Sequence, residues 1–185
     1  MNDVLQQAQE TYQSYVSIII PRSPELAEEY GRVQYFGAID FKTDEYLILT
    51  LNSLYTPMAI PVAEVLDIAS EQLVILNGTR MMYKEELTFS TLTPDDRFRT
   101  IILLKQNQEY FIDLLSPSQH YPEYIFSIIS NLNRYIMMGY YSEWFGYGST
   151  RLKTPDERKL EFSPLSWKQI GYPGPSLGYR ALRNP

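Results

Sequence analysis

Few residues in this chain of 185 residues could carry out chemistry. It has no cysteine, which excludes disulfides, thiolate metal sites and a cysteine nucleophile. Its only histidine, His120, lies in the segment SPSQHYP, and a loop histidine is more often solvated than catalytic because a general base needs a well-placed partner. The acidic pairs Glu28-Glu29 and Asp95-Asp96 are typical of helix first turns or solvated charges. We therefore expect no catalytic, cofactor-binding or metal-binding residue, and an independent hydrolase using His120 is a remote alternative.

A second group of candidates lies in residues 139–179, which are rich in glycine and aromatic side chains. This segment begins GYYSEWFGYGSTR, and its GYGSTR part would match a phosphate loop only with a glycine at Arg151 and a preceding strand. We expect the whole region 139–185 to run extended across a surface, because glycine and proline interrupt helices and strands. Its rings either close the end of a helical bundle or stack on a sugar or base, and burial statistics favour the first.

The charge is divided unevenly along the chain. Residues 1–138 contain 9 basic and 18 acidic side chains, whereas residues 139–185 contain 7 basic and 4 acidic ones. The net charge of −6 argues against nucleic acid as a partner. A basic tail rich in tryptophan, tyrosine and arginine can fold back on its acidic body or bind a protein partner, and composition alone leaves both alternatives open.

The sequence also bears on location. No window approaches the roughly 20 apolar residues that span a bilayer, so we expect no direct membrane insertion. The first residues, MNDVLQQAQETY, lack the positive charge and apolar run of an export signal. The sequence as written therefore indicates a cytoplasmic protein. A periplasmic location would follow if a signal was removed or if the complex is exported with a partner.

Hydrophobic spacing predicts an all-α fold, a single domain in which a helical bundle over residues 1–138 is followed by an irregular Gly/Pro/Tyr-rich tail over residues 139–185. Apolar side chains at steps of three and four predict helices at 2–20, 61–77 and 123–138, and Thr93 with Pro94 predicts the start of another. The segment SPELAEEY predicts a second helix, capped by its serine. The paired methionines are expected to fill gaps in the core: Met81, Met82, Met137 and Met138.

Residues 31–57 are the ambiguous part of this prediction. Their content of valine, isoleucine, tyrosine and phenylalanine favours strands, with a hairpin turn at Lys42-Thr43-Asp44. The surrounding helices favour a mostly helical segment, because an isolated hairpin is only marginally stable in water. If residues 31–68 instead form a small β-barrel, the protein is a non-enzymatic adaptor or assembly protein.

Three stretches of the sequence together resemble one known family. The first stretch is the tail, where the matching residues are Gly139-Tyr140-Tyr141, the glycines Gly146 and Gly148, Trp167 and the run Ile170-Gly171-Tyr172-Pro173-Gly174. The segment FSTLTP before a predicted helix and the early IIIPR add to the likeness. The pattern resembles the gluconate 2-dehydrogenase subunit 3 family, the small subunits that accompany flavin-dependent dehydrogenases of the glucose-methanol-choline (GMC) family.

The resemblance implies a non-catalytic accessory subunit, without a cofactor of its own, that stabilises or matures a large GMC-type flavoprotein. That partner would hold FAD and oxidise an alcohol carbon of a sugar, sugar acid, polyol or glycoside. In some complexes of the family a cytochrome c subunit takes the electrons. The tail residues expected to bind the partner are Tyr140, Tyr141, Trp144, Tyr147, Arg151, Trp167, Tyr172, Pro173 and Tyr179.

Overall fold

The computed structural model describes residues 2–78, 87–115 and 121–175, with side chains described from Leu5 onward. Within these ranges all regular structure is helical, which confirms the predicted all-α class. The α-helices in the described ranges are α1 Asn2–Ile19, α2 Ala27–Tyr30, α3 Thr43–Asn52, α4 Ala59–Leu76, α5 Pro94–Gln106, α6 Gln108–Leu115, α7 Pro122–Tyr141 and α8 Leu165–Gln169. The 3₁₀ turns described between them are Pro24–Leu26, Arg32–Tyr35, Phe89–Thr91, Phe145–Thr150 and Pro155–Glu157.

The periodic segments form the helices that their spacing predicted. The predictions at residues 2–20, 61–77 and 123–138 correspond to α1, α4 and α7. At the start of α5 the Thr93 hydroxyl accepts a hydrogen bond of 3.3 Å from the backbone N–H of Asp96, and a proline occupies the first helical position. The segment SPELAEEY forms a 3₁₀ turn and the one-turn helix α2, and Ser23 makes no capping bond through its side chain.

Residues 31–57 are helical where the structure is regular, against their strand propensity. A 3₁₀ turn and α3 lie here, and no strand occurs among residues 31–68, all of which the structure describes. The β-barrel alternative is therefore wrong. The reason is tertiary burial, because Phe41 and Leu47 lie in the core between helices, and such packing outweighs intrinsic propensity. Lys42, in the predicted hairpin turn, instead adopts a left-handed φ of 56° directly before α3.

The core lies around α1 and α4. The helix α4 packs on α5 and α1, while α3 packs on α1 and α7. Two buried tyrosines of α1 tie these helices together, since the Tyr12 hydroxyl donates to the Ala59 carbonyl at 2.5 Å and the Tyr15 hydroxyl donates to Asn133 Oδ1 at 3.1 Å. Their rings fill the core while their hydroxyls remain satisfied.

The tail differs from the extended segment that its composition predicted. The helix α7 continues to Tyr141, and short helical turns and α8 make up much of the rest up to residue 175. Glycines fit the breaks in this structure, since Gly148, at φ 47°, forms a kink inside the turn Phe145–Thr150 and Gly171, at φ 67°, follows α8. The tail is therefore folded against the body over its described length. Among the helices of the described residues, none is both long and apolar enough to cross a membrane.

Candidate docking surface at the C-terminal end

Trp144 fixes the beginning of the tail to the body. Its side chain is buried, and the indole Nε1–H donates a hydrogen bond of 2.7 Å to the backbone carbonyl of Lys42, the left-handed residue before α3. Tyr46 meets the ring edge-on at 5.6 Å, and the Arg158 guanidinium lies 5.5 Å above it. Trp144 was expected to bind a partner, but its ring faces its own chain because the left-handed turn presents a carbonyl to it. It acts as an internal anchor.

Trp167 anchors the other end of the tail by completing the last turn of α7. The last carbonyls of any α-helix lack partners within the helix. Here the Trp167 indole donates to the Tyr141 carbonyl at 2.8 Å, and the Ser166 hydroxyl donates to the Tyr140 carbonyl at 2.8 Å. Trp167 is only 2% exposed, so this second expected contact residue is also buried within the chain. These bonds hold α8 against the end of α7.

The segment between the two tryptophans is braced by charge. Arg151 donates to both carboxylate oxygens of Glu45 in the first turn of α3, at 2.7 Å and 3.1 Å, and also to the Gly148 carbonyl. Both side chains of this pair are less than a quarter exposed. A bidentate pair of this kind is directional as well as attractive. Arg151 therefore joins the tail to α3 instead of facing outward as a contact for a partner.

Glu161 closes the loop that follows. Its carboxylate accepts hydrogen bonds from the hydroxyl and the backbone N–H of Ser149, which lower the pKa of Glu161. The Thr150 hydroxyl binds the Lys159 carbonyl and accepts from the backbone N–H of Lys159. These side-chain hydrogen bonds hold the two ends of the segment 148–161 together.

Contacts between aromatic rings connect the body to the tail. Phe41 lies at the centre, with ring centroids 4.7 Å from Tyr140 and 4.9 Å from Phe145. Further contacts extend from Tyr140 to Tyr141 at 5.0 Å and from Phe145 to Phe162 at 5.3 Å. The rings close one end of the helical bundle, as expected from burial.

The exposed part of this end is smaller than the set of residues predicted to bind a partner. Of the predicted residues, Tyr141, Tyr172 and Pro173 are exposed. Together with the exposed Ile170, which was not predicted, we name these four residues the tail patch. Trp167 brings the two parts of the patch to the same end of the molecule, because its indole donates to the Tyr141 carbonyl and its ring meets the Tyr172 ring at 5.0 Å. The remaining predicted residues are not part of this patch: Tyr140 is buried, Tyr147 is half-buried, and Tyr179 lies outside the described residues.

Two exposed residues beside the tail patch were missed by sequence reasoning. Met137 and Met138 were expected to fill the core, but they are 43% and 51% exposed on α7. Met81 and Met82 lie outside the described residues. The spacing of α7 could have predicted this exposure. Its buried face passes through Leu132 and Ile136, and with 3.6 residues per turn the next two positions point away from that face.

One half-buried carboxylate stands out in the body. Asp67 of α4 accepts hydrogen bonds from Gln7 Nε2 at 3.0 Å and from the backbone N–H of Phe89 at 2.8 Å. Burial raises the pKa of Asp67 to about 6, although both hydrogen bonds act to lower it. The carboxylate joins α4 to α1 and to the 3₁₀ turn Phe89–Thr91. These contacts engage both of its oxygens and give it a structural task.

The described residues contain no group of three or more His, Cys, Asp or Glu side chains arranged to hold a metal ion, and His120 lies outside them. Comparisons with protein-family models, with curated proteins and with solved structures found no match. Over the residues that the structure describes, the protein is all-α, its tail is held against its body by the buried tryptophans, and residues up to 173 supply the exposed tail patch.

Proposed function

We propose that this chain is a non-catalytic small subunit of a FAD-dependent GMC-family oxidoreductase and that its tail patch binds the large subunit. One observation carries the proposal. The tail residues that resemble the small-subunit pattern lie together at one end of the molecule, and the tail patch consists of their exposed side chains. Aromatic side chains at such a place are typical of protein interfaces.

The glycines of the same pattern support this proposal because they allow the tail to pack closely. A Cβ at Gly139 would stand 2.5 Å from the Tyr46 ring, and a Cβ at Gly146 would stand 2.5 Å from the Phe162 carbonyl oxygen. Close packing at these two glycines holds the segment between α7 and α8 in place, and the bond from Trp167 to the Tyr141 carbonyl fixes α8 beside the tail patch. A preorganised patch loses less conformational entropy when a partner binds, so more of its contact energy appears as affinity.

In this assignment the flavin chemistry belongs to the partner. The large subunit would hold FAD and oxidise an alcohol carbon of a sugar, sugar acid, polyol or glycoside, and a cytochrome c subunit would take the electrons in some complexes. This chain would raise the stability of the folded flavoprotein by binding it, because a ligand that binds only the folded state shifts the folding equilibrium.

The test is affinity purification of the tagged full-length chain from its native lysate, followed by a visible absorption spectrum and an assay of dye-linked alcohol oxidation. We expect a larger, flavin-coloured protein that oxidises sugars or polyols. Deletion of residues 139–185 would be a poor variant, because Trp144 and Trp167 are buried against the body and their loss would disturb it. Tyr172→Ser removes a ring that is 44% exposed in the tail patch and whose inner edge contacts Trp167, and it should reduce recovery of the flavoprotein while circular dichroism shows the helices intact.

Tyr55→Ser is the matched control, because Tyr55 is a fully exposed tyrosine between α3 and α4. It should leave recovery unchanged. A colourless, monomeric chain in the eluate would refute the proposal. A larger partner without flavin or dehydrogenase activity would refute the enzymatic part of it.

A further inference from the structure

We propose that an exposed stripe of α7, formed by Arg134, Met137, Met138 and Tyr141, is the second half of the partner surface, and that it inserts into an apolar groove of the large subunit lined at its rim by carboxylates. The inference rests on the proposed function, and it adds residues and a partner chemistry that the family-like pattern does not contain. The stripe and the tail patch share Tyr141, so they form one surface.

The geometry of α7 makes the stripe continuous. Positions 134, 137, 138 and 141 follow one another at steps of three, one and three residues, which places them on one face of a helix. All four side chains are exposed, while Leu132, Ile136, Gly139 and Tyr140 of the same turns are buried. Apolar anchors at such spacing are how an amphipathic helix lies in a groove. Methionine suits this use because its unbranched thioether adapts to the shape of a groove.

The charges around this surface indicate what its partner carries. Exposed cations flank it on both elements, Arg134 on α7 and Lys168 on α8. Neither residues 130–141 nor residues 164–175 contain an acid. On α7 itself the acidic residue is Glu123, about 16 Å from Arg134 along the helix axis at 1.5 Å per residue. The next acid after α7, Glu143, is half-buried.

The positive charge of these two segments contrasts with the acidic body. Residues 1–138 carry 18 acidic and 9 basic side chains. A partner with carboxylates around an apolar groove would therefore attract this end of the molecule and repel the rest. Such a charge distribution orients the encounter and accelerates association.

A second copy of the chain fits the surface less well than the large subunit does. In a two-fold symmetric dimer the same patch would contact itself. Arg134 and Lys168 would then face equivalent cations, and neither element supplies a carboxylate to neutralise them. The surface therefore favours a partner of different sequence.

The experiment measures binding of the purified chain to the large flavoprotein that the affinity purification recovers. The double variant Met137→Ser/Met138→Ser should raise the Kd about tenfold or more, because a few anchors buried at the centre of an interface carry most of its binding energy. The matched control is Phe98→Ser, an exposed apolar residue on α5, and it should leave Kd within about twofold. Lys168→Glu should slow association at low salt, and the effect should shrink as salt screens the charges.

The outcomes separate the two proposals. If the wild-type chain recovers no flavoprotein, the proposed function fails. If the wild-type chain binds it and the methionine variant binds equally well, only the stripe is refuted. If the wild-type chain forms a dimer that the methionine variant abolishes, the stripe is a self-association surface and the inference is overturned.

Discussion

Replacing Asp67 by asparagine should change how the stability of the protein depends on pH. The carboxylate is half-buried between α4, α1 and the turn before α5, where burial raises its pKa from 3.8 to about 6. Asparagine has nearly the same shape and keeps an oxygen that can accept the Phe89 N–H, while the ionisable group is lost. The second oxygen becomes an NH₂ group that faces the Gln7 amide, and because neither amide titrates, this change adds an offset that is the same at every pH. The pH-dependent part of the difference therefore reports the cost of ionising this carboxyl in the folded chain.

The sign follows from proton binding in the two states. The folded carboxyl has the higher pKa, so between about pH 4 and pH 6 the folded state binds more protons than the unfolded state. Stability from this group is therefore present at low pH and is lost as pH rises through about 6. A shift from 3.8 to about 6 corresponds to about 3 kcal/mol in the free energy of unfolding. In Asp67→Asn this loss should be absent.

The assay is urea unfolding followed by far-UV circular dichroism for wild type and variant, at intervals from about pH 4 to pH 8. As pH rises, the unfolding free energy of Asp67→Asn should increase relative to that of the wild type, and this difference should become constant above about pH 6. Asp113→Asn, which removes an exposed carboxylate on α6, serves as the control for a general change in charge. A difference between wild type and Asp67→Asn that stays constant over this range would refute the reasoning.

Two further predictions concern the anchoring of the tail. Trp144→Phe removes the hydrogen bond to the Lys42 carbonyl and part of a buried ring. It should lower the free energy of unfolding, measured by urea titration, by about 2 kcal/mol. An unchanged midpoint of unfolding would contradict the anchoring role of Trp144. Gly139→Ala places a Cβ 2.5 Å from the Tyr46 ring and should cost about 1–3 kcal/mol, measured in the same way. A more stable Gly139→Ala protein would mean that Tyr46 moves aside without cost.

The helices with regular apolar spacing could be predicted from sequence because their signals are local. The start of α5 depends on Thr93 and Pro94, which lie next to the helix that they begin. The segment containing α3 gave the opposite signal, since β-branched and aromatic residues there favour strands. Its helix is fixed by burial of residues such as Leu47 against α1 and α7, which are distant in sequence.

The path of the tail is a second feature that local sequence signals could not predict. Its glycines and prolines predicted an extended path, but bonds from Trp144 to Lys42 and from Arg151 to Glu45 span more than a hundred residues of sequence. A pattern among neighbouring residues cannot reveal contacts between residues so far apart in the sequence. The residue types expected at an interface were present, yet the two tryptophans are used to hold the tail in place. The proposed partner surface rests instead on exposed residues such as Tyr141, Tyr172 and the two methionines of α7.

The positions of the two tryptophans also determine which part of the protein gives rise to its indole fluorescence. The chain has two tryptophans, and both are buried in the tail, whereas its 16 tyrosines are spread over the whole sequence. Intrinsic indole emission is therefore a label on the tail alone. Release of the tail would move that emission to longer wavelength while the helices of the body persist, so a spectrometer can separate the undocking of this one segment from the unfolding of everything else.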